Sequence, residues 1–241
     1  MTVSSPSRAL APDARPAPSG AGDDAADPDA AFPPGFLART DPSPDSAFYA
    51  VERLVTHLDD RAIVAVGRLY EHLGIDGRAD APPATLDLMS SWVSHFRTPP
   101  PELVVLGMNA AELAANPAAT RRVVHDLNAD PTLPFDDAEF GAVTCCVSVD
   151  YLTRPVSVFR EAGRVLAPGG LVVVTFSNRC FPTKAVHGWL ATDDEGRVKI
   201  VAEYFRRAGC FGAITAALCT SPSTTGDPLY GVWAARLDTA P

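Results

Sequence analysis

The sequence predicts an α/β fold: a mostly parallel, seven-stranded sheet with helices on both faces and a C-terminal antiparallel hairpin. Three observations lead there. Short, nearly continuous apolar runs such as "ELVVLG", "FGAVTCCVSV" and "GGLVVVTFS" alternate with stretches of helical spacing, as expected of strands covered on both faces. Two last apolar runs, "FGAITAALCTS" and "PLYGVWAARL", are joined through "PSTTGD" and can pair as a hairpin. The chain has 241 residues, 46% of them hydrophobic, enough for one domain with a substantial core.

Residues 1–40 are expected to form a disordered or loosely ordered tail. Nine of the 23 prolines fall in the first 44 residues, which leaves "PDARPAPSGAGDDAADPDAAFPPG" unable to build a helix or strand easily. An ordered lid is the alternative, docking through Phe32, Phe36 and Leu37. Residues 41–80 read as a helical cap. Phe48, Val51, Leu54, Val55 and Leu58 keep helical spacing, and so do Ile63, Val66, Leu69, Tyr70 and Leu73, with a break near Asp59–Asp60. The sheet domain follows over 81–241. Its strands are placed at 84–88, at 102–107, in "RRVVHDL", at 140–149, at 170–177 and in the two final runs. "AAELAAN", "PVSVFREAGRVL" and "DDEGRVKIVAEYFRRAG" are the intervening helices, the last ending near Gly209.

Composition excludes several classes. A formal net charge of −9 argues against broad binding to nucleic acid or anionic membrane. No apolar run reaches the roughly 18–20 residues of a membrane span, and the first 20 residues lack the apolar core of a signal peptide, so a cytoplasmic protein is expected. The five cysteines are odd in number and form no CxxC pair. A disulfide framework and a structural zinc site are therefore not expected, and no histidine triad suggests another metal. Cys145 and Cys146 fall within one strand, face opposite sides and read as inert packing.

In an open α/β sheet, ligands bind beyond the carboxyl ends of the strands. That rule selects Asp87 to Ser91, then Asn109 and Glu112, then Asp126, Leu127 and Asn128. It also selects Ser148, Asp150 and Tyr151, and finally Ser177, Asn178 and Arg179.

The order of these motifs resembles class I S-adenosylmethionine-dependent methyltransferases, in particular the methyltransferase type 11-like group. "HDLNADPTLPFDDAEFGAV" and "VFREAGRVLAPGGLVVVTFSNR" carry the resemblance, which covers roughly 84–209. It implies a Rossmann-like class I methyltransferase fold and S-adenosyl-L-methionine as cofactor. Where the family has a glycine-rich loop, this chain has "DLMSSW", which resembles an atypical branch, as does "FSNRCFPTKAVHGW". Without glycines the backbone must make a wider turn or bind through serine hydroxyls.

The resemblance assigns cofactor contacts to Asp87, Met89, Ser90, Ser91, Met108, Asn109, Asp126, Leu127 and Ser148. Asp87 would orient the methionyl ammonium, or else cap a following helix. Ser90 and Ser91 would bind the carboxylate, or begin that helix. Asn109 stands where an acid usually grips the ribose, and Asp126 matches the acid that meets the adenine amino group. Asp150, Tyr151 and His187 are the candidates near the reacting methyl, with helix capping as the plainer role for Asp150. Asn178, Arg179, Lys184 and Trp189 are candidates for the substrate. The basic pair Arg179 and Lys184 would suit an anionic group, or would neutralise aspartates within the fold. The implied reaction is in-line methyl transfer to a small-molecule acceptor by a monomer or homodimer. Cyclisation or alkyl transfer with the same cofactor, a non-catalytic cofactor-binding protein, and a nicotinamide enzyme are the rivals. The last lacks its glycine fingerprint.

Overall fold

The computed structural model describes residues 27–77, 84–221 and 226–238. Most of the expected tail (1–26) and most of the "PSTTGD" link lie outside the described residues. Seven strands form one sheet: β1 (Ala84–Leu88), β2 (Glu102–Gly107), β3 (Arg121–Val124), β4 (Phe140–Cys146), β5 (Leu166–Phe176), β6 (Thr215–Leu218) and β7 (Tyr230–Ala235). Their spatial order is β3-β2-β1-β4-β5-β7-β6. The pairs from β3 through β5 are parallel, and β7 is antiparallel to both β5 and β6. This is the Rossmann-like class I methyltransferase fold, with the expected terminal hairpin.

The helices are α1 (Asp45–Phe48), α2 (Asp60–His72), α3 (Ala110–Ala115), α4 (Pro155–Val165), α5 (His187–Leu190) and α6 (Asp194–Ala208). Val158, Phe159 and Ala162 of α4 and Val201, Tyr204 and Phe205 of α6 pack on one face of the sheet. Ala62, Val66 and Leu69 of α2 and Leu113 of α3 pack on the other. Side-chain alternation along the strands divides the two cores: Leu86 and Val104 face the first, Leu103 and Val105 the second. Gly209 ends α6 in the left-handed conformation, φ 78°.

Three expectations change. From Asp27 onward the tail is ordered: Phe32 packs on the core and stacks on Phe36, and Arg39 bridges to Val186. Buried Asp29 caps α4 from 127 residues away, accepting Val156 N–H at 2.7 Å and Ser157 Oγ at 2.6 Å. The helix expected over 46–58 is only the single turn α1. Its hydrogen-bonding groups are claimed from elsewhere: Arg53 N–H donates to Glu112 Oε1 at 2.7 Å, and Tyr49 C=O accepts Asn109 Nδ2 at 3.0 Å. Those two groups would have bonded each other in a helix. Finally, no helix follows β1; residues 89–101 run as an irregular loop. The 49–58 segment becomes a strap across the carboxyl end of the sheet.

Candidate functional site

The carboxyl ends of β1, β2, β3, β4 and β5, with the strap, enclose a cavity of about 510 Å³, within the size range of small-molecule sites. It is lined by Asp87, Met89, Ser90, Ser91, Met108, Asn109, Asp126, Leu127, Ser148, Tyr151, Asn178 and Arg179. The sheet thus gathers the nine expected cofactor residues and three of the remaining candidates at one place.

At the end of β1, Asp87 is buried and ringed by hydroxyls. Ser90 Oγ and Ser94 Oγ donate to its Oδ2, each at 2.7 Å, and Thr144 Oγ1 donates to its Oδ1 at 2.7 Å. Burial pushes its carboxyl above the usual range, against the pull of those three hydroxyls. Met89 then takes φ 53°, and Val147, at the end of neighbouring β4, takes φ 49°. Left-handed backbone is costly for residues with a Cβ and uncommon for a β-branched one. Two such residues side by side at the cavity are the type of strain that collects at functional sites. Ser90 N–H donates to Leu106 C=O at 2.8 Å, so the chain stays on β2 instead of entering a helix. Gly107 makes this possible: a Cβ there would stand 2.1 Å from Ser90 O.

At the end of β2, Asn109 Oδ1 caps α3 by accepting Ala111 and Glu112 N–H, and its amide donates to the strap. Glu112 Oε2 accepts Ser91 Oγ at 2.5 Å and its Oε1 accepts Arg53 N–H. At the end of β3, Asp126 Oδ1 accepts Asn128 and Ala129 N–H. Its second oxygen has no hydrogen-bond partner among the described residues. Leu127 beside it is buried. Ser148 Oγ donates to Cys146 C=O at 3.0 Å, and Tyr151 OH accepts Phe181 N–H at 2.9 Å.

Four candidates belong elsewhere. Asp150 lies behind the cavity wall; its Oδ2 has no partner among the described residues, and burial pushes its carboxyl up to about 8. It does not cap α4, because Asp29 does. His187 is exposed at the start of α5 and does not line the cavity. Lys184 is fully buried among Ser43 C=O at 2.8 Å, Asp41 at 3.1 Å and Asp45 at 3.2 Å, so it fastens the chain before the strap and does not line the cavity. Trp189 is a core residue packed on Phe176. The basic pair therefore separates: Arg179 lines the cavity and pairs with Asp227 at 2.7 Å, while Lys184 is structural. Cys145 and Cys146 face opposite cores as expected, and burial pushes the Cys146 thiol up to about 12.

The structure adds Tyr49, Arg53, His57, His95 and Phe181 to the cavity wall. His57 packs edge-on to Phe181 at 5.2 Å, and burial holds both His57 and His95 below the usual histidine range. That burial favours the neutral imidazole, the form able to accept a proton. Tyr49, Arg53 and His57 lie on the strap, whose folding back over the sheet leaves no periodic signal; His95 lies in the irregular loop after β1, and Phe181 follows β5. Among the described residues no His, Cys, Asp and Glu cluster could hold a metal, and no helix is long and apolar enough to cross a membrane.

The family described as "Methyltransferase domain" matches residues 100–174, from the start of β2 into β5. No curated protein matches the sequence. Among solved structures, a S-adenosylmethionine-dependent methyltransferase from Thermotoga maritima shares 12% identity, with 73% of this chain and 88% of that one covered and a TM-score of 0.50. The [4+2]-cyclase SpnF shares 13% identity over 80% of this chain and 91% of its own, also with a TM-score of 0.50. At these identities the likeness is one of fold, the class I methyltransferase fold already read from the strand order.

Proposed function

We propose that the cavity binds S-adenosyl-L-methionine and that the protein transfers its methyl group to a small-molecule acceptor. The observation that carries this reading is a cavity of ligand size at the carboxyl ends of this sheet, lined at β1 and β3 by Asp87 and Asp126. The residues suit most of the cofactor. Asp126, with an oxygen to spare, and apolar Leu127 and Met108 suit the adenine. Asp87, with Ser90 and Ser91, suits the methionyl ammonium and carboxylate once a hydroxyl turns from one partner to the other. Bound there, the cofactor supplies an electrophilic methyl on a sulfonium.

The chain's own part is alignment. Tyr151, with its hydroxyl tied to Phe181 N–H, and Asn178 form the wall on the acceptor side, and the strap excludes water. His57 is placed to take a proton from an acceptor that must lose one. Asp150 and His187 have no such place, so neither is assigned a step.

A second reading rests on Asn109. Its oxygen caps α3 and its amide holds the strap, so the ribose grip expected at β2 is already engaged. That favours an altered cofactor pose, and with it another reaction of the same cofactor or a non-catalytic binding protein. Calorimetry with S-adenosylmethionine and S-adenosylhomocysteine tests binding, with affinity on the order of micromolar expected. A labelled-methyl assay with mass analysis of the product then separates the readings: an acceptor that gains a methyl mass supports transfer. Binding without label transfer favours the second reading.

A further inference from the structure

Two arginines line the cavity, and they differ in what they hold. Arg179 Nε is paired with Asp227 Oδ1. Arg53 makes no ion pair among the described residues. Its guanidinium donates only to backbone carbonyls, from Nη1 to Val51 O at 3.1 Å and from Nη2 to Phe48 O at 2.9 Å. The Phe48 ring lies 4.5 Å from the guanidinium carbon and the Phe181 ring 5.7 Å from it. These contacts fix the plane of the fork. A guanidinium has five N–H donors, so three stay open.

Asp126, with its free oxygen, makes no ion pair with Arg53, and the other carboxylates near the cavity are engaged elsewhere. Glu112 accepts Ser91 Oγ and Arg53 N–H, Asp87 accepts three hydroxyls, and Asp45 accepts Arg39, Lys184 and Asn128. An oriented cation with open donors and no protein anion against it is a site for a ligand anion. Phe181 follows β5, whereas Asp126 follows β3 at the opposite end of the parallel strands. The guanidinium therefore stands toward the acceptor end, beside Phe181, whose ring lies 5.9 Å from that of Tyr151.

We propose that Arg53 determines acceptor specificity, and that the acceptor is a small carboxylic acid with an aromatic or apolar body. Its carboxylate meets the guanidinium fork and its body lies against Phe181 and Tyr151. This rests on the methyl-transfer reading above, with Arg53 in place of Lys184 as the cation that selects an anionic substrate.

The test uses the full chain as wild type, Arg53→Gln and Arg53→Lys, each checked for an unchanged thermal melt. S-adenosylhomocysteine affinity is measured first. Benzoate, phenylacetate and cinnamate are then titrated into the saturated protein, each against its neutral amide. The expected result is that wild type prefers at least one acid over its amide. Arg53→Gln reduces that preference about tenfold, Arg53→Lys retains part of it, and cofactor-product affinity stays the same in all three. A preference that is absent in wild type, or that survives Arg53→Gln, overturns the proposal. So does a loss of S-adenosylhomocysteine affinity in Arg53→Gln, which reassigns the arginine to the cofactor's own carboxylate. Wild type that takes up no S-adenosylhomocysteine contradicts the methyl-transfer reading itself, a signal distinct from the others.

Discussion

The two halves of the parallel sheet solve one problem differently. From β4 to β5 the chain follows the regular pattern of strand, helix, strand, with α4 crossing between them. From β1 to β2 it does not: the crossover has no helix, Met89 takes left-handed backbone at the end of β1, and the strap from the N-terminal region bonds to Asn109 and Glu112 beyond β2. Buried aspartates make the contrast concrete. Asp87, in the rebuilt half, has three hydroxyl donors; Asp150, in the regular half, has an oxygen with none among the described residues. The strands need only apolar surface on both faces, so the fold survives while the ligand-facing loops are reworked.

The strap's anchorage gives the largest way to break this contrast. Asp45 is buried and holds Arg39 at 2.8 Å, Lys184 at 3.2 Å and Asn128 Nδ2 at 2.7 Å. Asp45→Ala leaves a buried lysine short of a partner and should cost about 3–5 kcal/mol in urea unfolding; a loss under about 1 kcal/mol would show that the strap is not clamped there. Burial raises the Asp45 carboxyl, but Arg39, Asn128 and Lys184 outweigh it and leave it below 3.8. Its contribution is thus present above pH 3.8 and lost as pH falls through the lowered value.

Glycines sharpen the comparison next. Gly107→Ala drives a Cβ into Ser90 O and should cost about 1–3 kcal/mol. Gly169 has φ 76° with open space around it, so Gly169→Ala should cost only about 1 kcal/mol. Equal losses would mean that the β1 loop yields freely.

Asp150 is raised from 3.8 to about 8. The folded state keeps its proton longer than the unfolded chain does, so stability falls as pH rises between those values, by about 1.4 kcal/mol per pH unit. Asp150→Asn should remove that slope, and unfolding across pH 5–8 measures it. The remaining effect is on the ligand: Asp126→Ala should weaken S-adenosylhomocysteine binding about tenfold, roughly 1.4 kcal/mol.

Much of the sheet was legible because strands buried on both faces must be apolar throughout. β1 and β2 fall where the apolar runs place them, and α4 and α6 differ from expectation by a residue or so. β5 starts earlier than expected, at Leu166, because Leu166 pairs with Phe140. The polar ring at the strand ends was legible through the same rule. What hid was long-range pairing. Lys184 looks unpaired in sequence because Asp41 and Asp45 lie about 140 residues away, and the 46–58 helix fails because Asn109 and Glu112 take its backbone groups. Local spacing carries no trace of either.

Calorimetric titration of the full chain with S-adenosylhomocysteine tests the central claim most directly: that this sheet end holds the cofactor although its first loop has no glycine. Saturable one-site binding, on the order of micromolar and weakened in Asp126→Ala, is the predicted result. Folded protein that shows no heat of binding at millimolar ligand would contradict it.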